Sequence, residues 1–332
     1  MASADLIKKI FRSFKQRDDQ AFIAAALEII AEEKRKNHNV LARDLQRIIE
    51  NGNNSLHNNH IMNFQKLPRD KERSTVLVEV RTPQRYISDI ILDDNLRQQL
   101  DTIFNEYRAK PILKTYGLTP RLKLLFAGPP GCGKTLCAEI IANELGLPLL
   151  YTRFDAVISS YLGETASNLR KVFDYAEQGN WVVFFDEFDA IGKSRNNVEE
   201  HGELKRVVNT YLQLLDNFQS DSIIIAATNH ELLLDKALWR RFDDILYFDV
   251  PSKDHIVKLI ELKLRSFRHK SLDYKKYIDK MIGWTHSDIE RACINAIKIN
   301  ILANNDDINN ESFAKAFQRQ ENRLDVIRRT KE

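Results

Sequence analysis

No stretch of the 332-residue sequence approaches the roughly 20 consecutive apolar residues that span a bilayer, so a membrane-spanning helix is not expected. Met1 to Phe14 alternates polar and apolar residues at helical spacing and lacks the apolar centre of a secretory leader. A cytoplasmic protein is the expectation. Cysteine is scarce: Cys132, Cys137 and Cys293 form no metal-type pair, which argues against a disulfide scaffold and fits reduced thiols in a reducing compartment. An excess of one charge is missing too. With 50 Lys+Arg against 47 Asp+Glu the formal net charge is +3, too small to mark a nucleic-acid binder. The excess falls within residues 1–70, where a solvated helical surface accounts for it and an acidic partner is the alternative. Neither an HExxH sequence nor a serine- or cysteine-protease constellation is found, so no proteolytic activity is expected of the chain itself.

What is present is ordinary globular material, 43% hydrophobic and 29% charged, long enough for two or three compact units. In residues 1–50 three short apolar stripes recur at helical spacing: Leu6, Ile7, Ile10, Phe11 and Phe14; Phe22, Ile23, Ala26, Leu27 and Ile30; Val40, Leu41, Leu45, Ile48 and Ile49. They predict a small three-helix bundle. Residues 51–75, opening on the asparagine-rich run Asn51 to Asn63, read as a linker. His57 and His60 lie in it with no carboxylate or thiol cluster beside them, so they are read as solvated loop histidines.

Between residues 76 and 250 the pattern alternates. Apolar strand-like runs at Leu122–Ala127, Leu149–Tyr151, Trp181–Phe185, Ile223–Ala227 and Ile245–Phe248 are separated by helical stretches, predicting a three-layer α/β unit with a parallel sheet. Past Pro251, residues 251–332 carry helical patterns only, at His255–Phe267, Tyr274–Ile282, Ser287–Leu302 and Asn310–Asn322. An all-helical unit after the α/β core is expected.

The chemistry concentrates in four places. Gly128, Pro129, Pro130, Gly131, Cys132, Gly133, Lys134 and Thr135 follow a strand-like run and open, at Leu136, a helical one. This is the context a phosphate-binding loop needs. Glycines let the backbone close around an anion with its N–H groups inward, and the helix N-terminus adds a positive dipole end. Lys134 would reach the β- and γ-phosphates and the Thr135 hydroxyl would ligate Mg²⁺. Strand and helix on either side make an idle glycine turn a poor alternative in a chain with 11 Gly. Second, the run Trp181–Phe185 ends in Asp186 and Glu187, a pair suited to holding Mg²⁺ and to acting as general base toward water. Third, Ile223–Ala227 ends in Thr228 and Asn229, whose amide can position that water; a simple turn cap is the plain alternative. Fourth, Arg240 and Arg241 stand together before Phe242, either as a solvated helix end or as guanidinium groups offered to a phosphate.

These elements, GPPGCGKT, FFDEFDAIGKSR, AATN and LDKALWRRFD, in this order, resemble the AAA ATPases in the narrower sense, the branch containing FtsH, the proteasomal ATPases, katanin and spastin. The resemblance runs from about Tyr86 to Arg323. It implies a P-loop NTPase fold with a C-terminal helical lid, and ATP and Mg²⁺ as cofactors. It also implies a homohexamer with each ATP at a subunit interface: Lys134, Thr135, Asp186, Glu187 and Asn229 acting in cis, Arg240 and Arg241 in trans. At the place of the family's pore-facing loop stand Tyr161, Leu162 and Gly163, implying a grip on threaded polypeptide, with a packed surface aromatic as the alternative for Tyr161. The implied activity is a protein unfoldase or remodeller that hydrolyses ATP, delivering to a separate protease or adaptor recruited through residues 1–50. A clamp-loader-like nucleic-acid ATPase and a nucleotide-gated scaffold are the competing readings. The sequence departs from the family in its adjacent arginines, as in katanin and spastin, and in the lid run Gly283-Trp284-Thr285-His286-Ser287-Asp288, where His286 replaces a glycine. Trp284 is expected in the core.

Overall fold

The computed structural model describes residues 67–329, apart from 71–74, 154–156, 158–161, 192–199, 231–235, 268–271 and 306, together with residues 28, 29 and 32. The chain divides into Met1–Lys66 and Leu67–Glu332. The expected three-helix bundle lies almost wholly outside the described residues, and the following concerns the second unit.

Three central strands, β2 (Lys123–Ala127), β4 (Val182–Asp186) and β5 (Ile223–Thr228), are continuous apolar runs, and β5 is buried at every residue. Such runs need cover on both faces, the condition of a parallel sheet wrapped by helices. With β1 (Glu79–Arg81), β3 (Leu149–Arg153) and β6 (Asp244–Tyr247), the described strands form one sheet in the order β1-β3-β4-β5-β2-β6. All neighbours run parallel except β1, which pairs antiparallel with β3. The sequence reading expects a parallel sheet and does not contain β1. Three residues of mixed polarity on an edge leave no periodic signal.

Helix α1 (Asp94–Arg108) is capped by Asp93, whose carboxylate accepts from Leu96 N at 2.7 Å, and it buries Leu96, Leu100, Ile103 and Phe104 on one stripe. A short α2 (Lys110–Thr115) follows. Helix α3 (Lys134–Glu144) lies directly against the sheet and buries the small residues Cys137, Ala138 and Ala142 beside Ile140 and Ile141. Around the same sheet run α4 (Leu162–Glu177), α5 (Glu200–Asn217) and the single turn α6 (Lys236–Trp239). Within the stretch read as linker, Leu67–Asp70 packs on this unit: Asn168 Nδ2 on α4 donates to the buried Asp70 carboxylate at 2.7 Å.

The C-terminal helices have a core of their own, built from α7 (Lys253–Leu264), α8 (His286–Leu302) and α9 (Asn310–Arg329) around Ile260, Trp284, Ile289, Phe313 and Phe317. The helix expected at Tyr274–Ile282 is instead two 3₁₀ turns, Lys275–Tyr277 and Asp279–Met281. Tyr277 and Met281 turn inward there against Phe317 and the lid core, which a short turn achieves without a regular helix. Helix α8 starts at a capping box in which Thr285 and Asp288 each accept the other's backbone N–H. Among the described residues no helix is long and apolar enough to cross a membrane.

Candidate active site

The parallel strands carry their C-terminal ends to one edge. Ala127 of β2 stands opposite Thr228 of β5, and Phe185, one residue before Asp186, stands opposite Ala226. The glycine-rich loop, Asp186-Glu187 and Asn229 therefore leave the sheet side by side, where open α/β sheets bind ligands.

Within the loop, glycine is required at Gly128 by contact as well as by dihedral, and at Gly133 by dihedral. Gly128 has φ +136°, and a Cβ there would fall on the Phe248 carbonyl oxygen; Gly133 has φ +98° as N-cap of α3. Lys134 is 6% exposed, and its Nζ donates to the carbonyls of Gly128 at 2.7 Å and Pro129 at 2.9 Å. Burial pulls its ammonium pKa below the ordinary lysine value. Thr135 Oγ1 donates to Asp186 Oδ2 at 3.3 Å, and Tyr151 Oη donates to the same oxygen at 2.9 Å. Asp186 Oδ1 accepts the Glu187 N–H at 2.9 Å. Glu187 holds φ +55°, a left-handed conformation costly for a side chain of this kind and common where geometry serves chemistry. The Asn229 N–H donates to Asp189 Oδ1 at 3.3 Å, and Asp189 is fully buried.

A cavity of about 340 Å³ joins these groups: Pro130, Gly131, Gly133, Lys134, Thr135, Leu136, Asp186, Glu187 and Asn229 all line it. Its size suits a small-molecule ligand. Gly128, Pro129 and Cys132 do not line it. The first two give their carbonyls to Lys134, while Cys132 is buried, with its thiol pKa pushed up by that burial. The donor set at one end, a threonine hydroxyl and a carboxylate meeting at one oxygen, is the hard-oxygen chemistry that suits Mg²⁺.

Part of the cavity's lining, His286 apart, is not announced by the sequence. Asp89, Ile90 and Ile91, before α1, line it together with Leu259 and Lys263 of α7 and His286, Ser287 and Glu290 of α8. The lid is stitched to the loop there, since Ser287 N–H donates to the Gly131 carbonyl at 3.0 Å and Arg265 pairs with Asp89 at 3.0 Å. His286 lines the cavity, and burial, with His255 next, holds its pKa down to about 4. A hydrogen bond with the Ile91 backbone acts in the opposite sense. No spacing in the sequence ties Ile90 or Leu259 to a motif, because their role comes from the lid's position.

Arg240 and Arg241 are exposed and stand apart from the cavity; Arg241 pairs with Asp216 of α5 at 2.6 Å. Tyr161 lies outside the described residues, and Leu162 and Gly163 open helix α4.

The comparisons with known proteins agree with this architecture. Residues 124–250 match the family model described as "ATPase family associated with various cellular activities (AAA)". The chain is 41% identical over 318 residues to an AAA family ATPase, y4kL, of Sinorhizobium fredii, covering 96% of this chain and 95% of that protein. It is 29% identical over 240 residues to the ATP-dependent zinc metalloprotease FtsH 2 of Petrotoga mobilis, covering 70% of this chain but only 38% of that longer protein. On the strength of the match along almost its entire length, the chain belongs to the AAA family of ATPases.

Proposed function

We propose that the chain is an ATP-driven unfoldase or remodeller of protein substrates that works as a homohexameric ring. The observation carrying this reading is a division of groups. Lys134, Thr135, Asp186, Glu187 and Asn229 share one cavity, while the exposed Arg240 and Arg241 stand outside it. Arginines so placed are available to ATP bound by a neighbouring subunit, and a ring lets every subunit both offer and receive them.

In this reading Gly131, Gly133 and Lys134 hold the phosphates. Thr135 and Asp186 would hold Mg²⁺, which when bound would supply neutralisation of phosphate charge. Glu187 removes a proton from the attacking water, which Asn229 orients without competing for that proton. The Lys134 ammonium, drawn to two carbonyls here, turns to phosphate oxygens. Ile90, Ile91 and Leu259, which line the cavity, would give the nucleoside an apolar seat. Tyr161 and Leu162 grip the translocated chain, and residues 1–50 recruit a client, adaptor or separate protease. The Petrotoga relative is by name a zinc metalloprotease, whereas this sequence contains no HExxH run, so a protease would be a separate partner.

The test is a trap. Glu187→Gln, incubated with ATP and then crosslinked, should retain protein clients as a ring-sized species, and Tyr161→Ala in the same background should lose them while still binding ATP. Retention undiminished by Tyr161→Ala would refute threading.

A further inference from the structure

The carboxylate of Asp186 has a partner outside the nucleotide motifs. Tyr151, on β3, donates its hydroxyl to Asp186 Oδ2 at 2.9 Å, a shorter bond than the 3.3 Å from Thr135 Oγ1 to the same atom. With the Glu187 N–H on Oδ1 at 2.9 Å, both carboxylate oxygens are committed and the group cannot rotate freely. A phenol has one hydrogen to give, and here it is given to that carboxylate.

Tyr151 is itself held from two sides. Its ring packs tilted against Phe184, two residues before Asp186 on β4, with centroids 5.7 Å apart. Over the ring, 3.7 Å from its centroid, sits the guanidinium of Arg81, which is paired with Glu79 at 2.8 Å. Glu79 stands opposite Tyr151 in the β1–β3 register. The antiparallel edge strand thus has a use beyond closing the sheet: it delivers a cation onto the tyrosine that addresses Asp186.

We propose that Tyr151 is a positioning residue for the Asp186 carboxylate, and that β1, through Arg81, holds it in place, so that the affinity for a divalent cation beside Thr135 is set partly from the sheet edge. This rests on the reading of Thr135 and Asp186 as the Mg²⁺ ligands. Tyr151 is not among the residues that line the cavity. It would act through the aspartate, by fixing the orientation of that carboxylate.

The experiment measures binding of a fluorescent ATP analogue to the full chain, first in EDTA and then across a Mg²⁺ titration, with Mn²⁺ followed in parallel by electron paramagnetic resonance. Tyr151→Phe, which removes the hydroxyl and keeps the ring, should raise the Mg²⁺ concentration for half-maximal effect by about tenfold, the scale of one hydrogen bond to a charged group. Affinity in EDTA should stay at the wild-type value. Arg81→Gln should move the midpoint in the same direction by less. Asp186→Asn serves as the control. If it abolishes the metal dependence while Tyr151→Phe leaves the midpoint unchanged, the positioning role is overturned and the metal site stands. If Asp186→Asn keeps the wild-type metal dependence, the metal assignment falls and the proposal with it. Equal weakening by Tyr151→Phe with and without metal would reduce Tyr151 to packing and also overturn the proposal.

Discussion

Lys134 and Glu187 border one cavity but fail differently when removed. Lys134 is the buried cation of the loop, so Lys134→Ala should lose nucleotide binding altogether, read by equilibrium titration. Glu187→Gln keeps the shape of the site and removes only the proposed base, so ATP affinity should persist while steady-state hydrolysis falls by about 10²-fold or more. Wild-type turnover in Glu187→Gln would remove the assignment of the base. His286 gives the site a pH dependence of definite sign. Its pKa is lowered from 6.5 to about 4 on folding, so the unfolded chain binds the proton more readily. The neutral ring's contribution is complete above pH 6.5 and is lost as pH falls toward 4, by at most about 1.4 kcal/mol per pH unit. Thermal unfolding followed from pH 7.5 to pH 5 should show a steeper loss in the wild type than in His286→Asn.

Helices α7 to α9 act as a second wall of the site because their own core is sound. Trp284 is 3% exposed and stacks on Phe317 of α9, with ring centroids 5.1 Å apart and planes 10° apart. Its place in the core agrees with the sequence reading. Trp284→Ala should cost the helical unit about 3–5 kcal/mol. Because Ser287 N–H is bonded to Gly131, the damage should reach the loop as well. Hydrogen exchange should rise in α8 and α9 and ATP affinity should weaken, while the buried strands β4 and β5 keep their protection. Unchanged affinity alongside loosened helices would show that the lid does not support the loop.

For the whole molecule, the proposed ring makes a prediction that no single subunit can. Lys134→Ala subunits keep their arginines, and Arg240→Ala/Arg241→Ala subunits keep an intact cavity. Mixing the two should recover part of the hydrolysis that each lacks alone. If mixed rings form and recover nothing at any ratio, arginine action in trans is wrong. Removing residues 1–60 should leave ATP turnover nearly intact and abolish client processing. Loss of the ring on size-exclusion chromatography with ATP would instead assign those residues to assembly.

The glycine-rich loop, the acidic strand end and Asn229 were legible in the sequence because each is a local pattern: residues adjacent in the chain, flanked by apolar runs that declare strand or helix. The five strand-like runs were legible for the same reason, since burial on both faces forces continuous hydrophobic stretches. The tertiary structure decided what depends on residues far apart in the chain. It brought Ile90, Ile91, Leu259 and His286 into the lining of the cavity. It set β1 antiparallel at the sheet edge and made Tyr274–Ile282 two tight turns. It also joined Tyr151 to Asp186 across two strands. Periodicity reports which face of an element is buried; which neighbour buries it, and with which polar atom in reach, depends on strand order and lid docking, and a linear pattern carries neither.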